Sequence, residues 1–150
     1  MRNDFLAMAC LVAAACGGSD GSGPTTSHHL VGTWSYEMPD LQDGHGVTCV
    51  ITGPNLAFTQ SGVAFSGNVS GGTIACAYLG TPFGAGSLQS AAVLNGAIQG
   101  DSVTFDVMNT KWHNVGTFVT EDSLAGIVNS FTTYQGQQVY LVGHWYSKRQ

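Results

Sequence analysis

The chain has 150 residues and a formal net charge of -5, yet only 9% of them are Asp, Glu, Lys or Arg, against roughly 25% in an average globular protein. Beyond Arg2 the basic side chains are Lys111, Lys148 and Arg149, which excludes both the basic stripe that binds nucleic acid and the polybasic patch that docks on anionic lipid. The length suits one domain that buries roughly two thirds of its unfolded surface, so a real core is affordable.

Arg2 precedes an apolar run from Phe5 to Ala15. The run is too short to span a bilayer as a mature helix, and residues 1–16 are therefore expected to be an export signal. Small residues ending at Cys16 resemble the bacterial lipobox. That resemblance implies acylation of Cys16 and anchoring on the periplasmic or outer face of an envelope membrane, with secretion as the alternative. Residues 17–29 are Gly, Ser, Thr and Pro with an isolated Asp20, the composition of a flexible linker. His28 and His29 read as its solvated end, because neighbours on an extended chain point opposite ways and make a poor metal pair.

From Leu30 to Gln150 short apolar alternations are separated by Gly, Asn, Asp and Ser, without a sustained helical period. The expected fold is all-β. Strands are expected over Leu30–Tyr36, Val47–Thr52, Leu56–Gln60, Val63–Val69, Thr73–Leu79, Ala92–Gln99, Ser102–Met108, Trp112–Thr120, Ser123–Phe131 and Gln138–Ser147. Tyr36–Gly46 and Gly80–Ser90 are the long connections, and the four prolines fall between the runs.

Residues 65–76 align without gaps to residues 94–105. Each copy reads as a hairpin, turning at Gly71-Gly72 and at Gly100-Asp101, with a fainter third turn at Glu121-Asp122. Successive hairpins make an up-and-down meander, and a long meander must close into a barrel, here of about eight to ten strands, or leave an exposed edge. Opposed residues of a hairpin share a face. The core face is thus expected to hold Phe65, Gly67 and Val69 with Ile74, Cys76 and Tyr78, and Leu94, Gly96 and Ile98 with Val103, Phe105 and Val107. Val139, Leu141, Gly143 and Trp145 face inward on the last strand, which leaves Tyr140, Val142, His144 and Tyr146 as an unusually apolar outer face. Trp112–Thr120 alternates ambiguously, and His113 lies inside or outside according to its register.

Cys49 and Cys76 form an even pair in an exported domain, which predicts a disulfide. No Cys-x-x-Cys, phosphate loop or nucleophile elbow occurs, and the carboxylates are scattered through turns and loops. Neither an enzymatic activity, a metal site nor a cofactor is expected.

Gly32-Thr33-Trp34 at the start of the domain, the meander, and Arg149 at the end of the last strand resemble the calycin superfamily of lipocalins and avidins. The resemblance implies that Arg149, or Lys148 in its place, packs over Trp34 where the barrel closes, with Gly32 and Trp145 as closing residues. It also implies a small apolar molecule held in the barrel. The opening Gly-x-Trp and one disulfide in the first half are similar as well to small exported barrels that inhibit metalloproteases through an N-terminal arm and loops.

The expected function is therefore binding of a small hydrophobic or amphipathic ligand, with Tyr36, Phe65, Tyr78, Phe105, His113 and Tyr140 as contributors. A protein-binding or inhibitor module acting through loops, with an envelope protein as partner, is the second expectation. A structural envelope domain without a specific ligand is the third.

Overall fold

The computed structural model describes residues 27–108 and 111–150. The expected export signal, its Cys16 and linker residues 17–26 lie outside the described residues. The described chain is all strand and turn: β1 Gly32–Gln42, β2 Val47–Thr52, β3 Asn55–Ser61, β4 Ala64–Ser70, β5 Thr73–Tyr78, β6 Thr81–Ser87, β7 Ala91–Gln99, β8 Ser102–Val107, β9 Trp112–Thr120, β10 Ser123–Tyr134 and β11 Gln137–Arg149.

Eight of these strands form a closed antiparallel barrel in the order β1, β3, β4, β7, β8, β9, β10, β11, with β11 returning to β1. That order is sequential, so the barrel is an up-and-down meander from which two excursions depart. The excursions are β2 and the β5–β6 pair. Together they make a three-stranded flap, in which β2 pairs with the C-terminal half of β1, β5 with β2, and β6 with β5.

Period-two burial explains why these residues are strands. In β2, Val47, Cys49 and Ile51 are buried and Thr48, Val50 and Thr52 exposed; in β11, Leu141, Gly143, Trp145 and Ser147 are buried and their neighbours exposed. One pleated face enters the core and the other meets solvent. Burying each large apolar side chain on the inner face contributes about 1.5 to 3 kcal/mol, so the register is strongly specified.

The hairpins at Gly100-Asp101 and Glu121-Asp122 form as expected, with Gln99 opposite Ser102 and Thr120 opposite Ser123. The expected hairpin at Gly71-Gly72 does not form. Strand β4 pairs with β3 and β7 while β5 pairs with β2 and β6, so the two glycines, both at positive φ, carry the chain out of the barrel wall into the flap. There Cys76 sits opposite Cys49, bonded to it with Cα atoms 4.1 Å apart. The disulfide joins adjacent strands of the flap, and it ties β5 to β2.

Both expected long loops are largely strand. The first is the second half of β1, which continues to Gln42 through a register shift that contains Pro39 and Asp40. Proline has no ladder donor, and at the shift the Asp40 Oδ1 atom accepts the His144 N–H at 2.7 Å in place of a backbone carbonyl. The second contains β6, every residue of which is exposed. With no inner face, β6 has no apolar alternation by which to be recognised.

Strand β7 carries the remaining correction. Pairs Leu94 with Asp106 and Ala97 with Thr104 differ in register by one residue, and Asn95 lies at φ 55°. This bulge reverses the faces before it: Val93 is 1% exposed and Leu94, expected inside, is 39% exposed.

Candidate functional site

At the closed end of the barrel, Trp34 of β1 pairs with Arg149 of β11. The guanidinium carbon lies 4.4 Å from the indole centroid, where a cation meets the negative face of the ring. Each of its three nitrogens donates nearby: Nη1 to Val31 O at 2.6 Å, Nη2 to His29 O, and Nε to Asp122 Oδ1 at 2.7 Å. Trp34 Nε1 donates to Leu30 O at 2.8 Å. Gly32 comes close beneath the same group, since a Cβ there would sit 3.4 Å from Arg149 Nη1. The end is therefore stoppered by the segment before β1.

Aromatic side chains pack against one another in the barrel core. Tyr36, Phe58, Phe65, Phe105 and Trp145 form a connected set with ring centroids 5.2 to 6.2 Å apart, the spacing of packed aromatic pairs. Inward glycines serve these rings. A Cβ on Gly96 would lie 2.6 Å from the Phe65 ring, and one on Gly116 2.5 Å from the Trp145 ring. The Tyr36 hydroxyl donates to Asn114 Oδ1 at 2.6 Å, and Asn114 Nδ2 donates to the carbonyls of Phe105 and Trp112. Burial pushes the Tyr36 phenol well above its ordinary pKa, against a smaller lowering by Asn114, so it acts as a neutral donor. Of the sequence-derived ligand contributors, Tyr36, Phe65 and Phe105 belong to this packed set.

The other three lie elsewhere. Tyr78 ends the flap strand β5 and stacks on Tyr134 at 4.8 Å, and Phe83 of β6 meets the same Tyr134 ring at 4.7 Å. His113 is on the outside of β9, 52% exposed, with Nδ1 2.7 Å from Asp106 Oδ1. Burial raises the Asp106 carboxyl, but hydrogen bonds from Asn95 and His113 outweigh it and hold the pKa below the usual value. Tyr140 is 71% exposed.

Tyr140 belongs to an apolar outer wall. Strand pairing aligns Val115 of β9 with Ile127 of β10 and His144 of β11, then Asn129 with Val142, Phe131 with Tyr140, and Ala125 with Tyr146. Val115, Ile127, Tyr140, Val142 and Tyr146 are all exposed. Two adjacent shallow depressions cross this wall. One, of about 420 Å³, is lined by Ile127, Val142 and His144 with Asp40 and Asp43; the other, of about 430 Å³, by Ala125, Val119 and Tyr146 with Glu37 and Lys148.

At the acidic end, His144 Nδ1 lies 2.6 Å from Asp40 Oδ2. Partial burial raises the Asp40 carboxyl, and the bonds from His144 prevail and lower it. Among the described residues no Asp–His pair, whether Asp106–His113, Asp40–His144 or Asp101–His28, has a serine or threonine hydroxyl bonded to its imidazole, and no group of three His, Cys, Asp or Glu is close enough to hold a metal ion. What this surface can offer chemically is apolar area, aromatic faces and carboxylates at one edge.

Sequence reasoning missed Asp40, Asn114 and His28. Asp40 was legible only as a loop acid, because its role depends on a bulge. Asn114 lies on the strand of ambiguous face, where an inward amide is signalled by nothing local. His28, read as the solvated end of the linker, is 7% exposed. The chain matches no protein-family model, no curated protein and no solved structure, so the geometry above carries its functional reading.

Proposed function

We propose that this domain is an exported, membrane-anchored binding module of the bacterial envelope, calycin-like in its barrel, which engages a protein partner through the outer wall of β9–β11 and catalyses no reaction. The carrying observation is that Val115, Ile127, Tyr140, Val142 and Tyr146 stay exposed on one wall. Contiguous exposed apolar area of this kind marks interaction sites. The outer faces of β3 and β4 carry Thr59, Ser66 and Asn68 instead, whereas the belt by which a barrel spans lipid encircles it. Glu37, Asp40 and Asp43 edge the two depressions, so the complementary partner presents apolar side chains with a basic group beside them. The calycin-like reading is supported by Gly32-Thr33-Trp34 at the start of β1 and by Arg149 stacked on Trp34.

A second reading, a small apolar ligand, finds its support at the rim, where Tyr78, Phe83 and Tyr134 form a partly exposed aromatic cluster. Two measurements separate the readings. Envelope proteins captured by the wild-type domain are compared with those captured by Ile127→Thr/Tyr146→Thr and by Tyr78→Ser; the wall reading requires that the first variant lose the partner and the second keep it, and the opposite pattern overturns it. Binding of a fluorescent apolar probe that Tyr78→Ser abolishes and the wall variant keeps selects the rim.

A further inference from the structure

His28 sits where two turns meet at the closed end. Its Nε2 atom is 2.8 Å from Asp101 Oδ1 in the β7–β8 turn, and its Nδ1 atom is 2.9 Å from Glu121 Oε1 in the β9–β10 turn. The ring stacks on Phe118 with centroids 3.9 Å apart and planes 11° from parallel, while the His28 carbonyl accepts Gln60 Nε2 at 2.9 Å. Both carboxylates are largely exposed, and an ionised carboxylate accepts hydrogen bonds only. Both ring nitrogens must therefore donate. Only the imidazolium has two N–H groups; a neutral ring has one.

We propose that His28 is a protonation-dependent latch: charged, its ring holds the chain up to His28 against the closed end of the barrel, and neutral, it lets that chain go while Gln60 and Arg149 keep the His28 and His29 carbonyls. The latch is local. Leu30 is fully buried and its N–H donates to Gln60 Oε1 at 2.7 Å, so β1 stays in place. The turns stay too, because the Asp101 carbonyl accepts Phe118 N–H at 2.9 Å and the Asp122 carbonyl accepts Arg149 N–H at 2.9 Å. The charged groups at this end are Asp101, Glu121, Asp122 and Arg149. Arg149 is satisfied by Asp122 and the carbonyls of His29 and Val31, which leaves Asp101 and Glu121 to the imidazolium. Latched, Ser27 and the His28 ring are held at the closed end of the barrel; unlatched, they are free to leave it.

The bond to Asp101 raises the His28 pKa above its ordinary value; burial opposes this, and the charge and bond of Glu121 add to the rise. A raised histidine pKa contributes stability that is complete below the unfolded value of about 6.5 and is lost as pH climbs through the folded value. Between those two values the ratio of released to latched chain rises about tenfold per pH unit.

The test follows the carbon-bound ring signals of His28 by NMR in the full chain, together with a nitroxide at Ser27→Cys in a chain carrying Cys10→Ser and Cys16→Ser. The expected result is a titration midpoint above about 6.5 and a label that is immobile at pH 6 and mobile at pH 9. In a His28→Gln background the label is expected to have the same mobility at both pH values. A His28 ring already neutral at pH 6, label mobility unchanged to pH 9, or an identical pH response in His28→Gln would each overturn the latch. None of these outcomes bears on partner binding by the wall, which is read separately.

Discussion

Opposite walls of the barrel solve the same folding problem with different outer surfaces. On β3 and β4, Leu56, Phe58, Phe65 and Val69 enter the core, while Ala57, Thr59, Ser66 and Asn68 face solvent, with a Thr59–Ser66 hydroxyl pair at 3.2 Å. On β9 to β11 the inner face holds Trp112, Leu124, Val128, Leu141 and Trp145, and the outer face is apolar too. An inner apolar face is what folding demands of a half-buried antiparallel strand. The second apolar face is an excess that β3 and β4 manage without, and it calls for an explanation outside the fold.

The comparison breaks first if the inner faces are not equivalent. Trp145→Ala and Phe58→Ala each remove a ring from the same aromatic set, and each is expected to cost about 3 to 5 kcal/mol in a denaturant titration. A cost near that of an exposed residue at either site would mean that the lumen is not the packed core described. Close behind comes the flap, whose two rings, Tyr78 and Phe83, meet only Tyr134 and lie outside that set, so that it depends on a covalent link. Replacing Cys49 and Cys76 by Ser opens a loop with sequence separation 27, with an expected loss of about 3 to 4 kcal/mol in the chain-entropy model. Hydrogen exchange is expected to rise first in β2, β5 and β6; uniform loosening of the barrel would contradict the division into barrel and flap.

How these regions were legible in the sequence follows from the same physics. Closure, the meander and the inner face of β11 depend on alternation, which survives in the sequence because burial enforces it at every second residue. The disulfide followed from two cysteines in a chain expected to be exported, although their placement in a flap did not. Faces were misjudged wherever a bulge intervened: Asn95 turned Leu94 outward, and the shift around Asp40 made strand of an expected loop. Hairpin reading failed at Gly71-Gly72 because a turn sequence specifies a reversal and leaves the next pairing partner open. The candidate surface was half legible. Its β11 side chains were visible as an apolar outer face, but Val115 and Ile127 joined them only through cross-strand register.

A smaller effect tests how tightly the rings are seated in the apolar wall. A Cβ at Gly116 would press on Trp145 and on the Ala125 carbonyl, both at 2.5 Å. Gly116→Ala is expected to destabilise by about 1 to 3 kcal/mol. A neutral substitution would show that the indole has room to move, and with it room for a guest.

The smallest expected effect on stability is the most informative for function. Ile127→Thr and Tyr146→Thr replace exposed outer residues by one that suits a strand, so each should change the unfolding free energy by no more than about 0.5 kcal/mol. Capture of the partner should nevertheless be lost. Thr59→Val on the opposite wall supplies the control, since it adds apolar area to the largely polar outer face of β3 and should leave capture intact. If the Thr variants were instead destabilised as strongly as inner-face ones, the outer side chains would be holding the sheet itself. The two walls would then differ in how they fold, and the excess apolar face would need no partner to explain it.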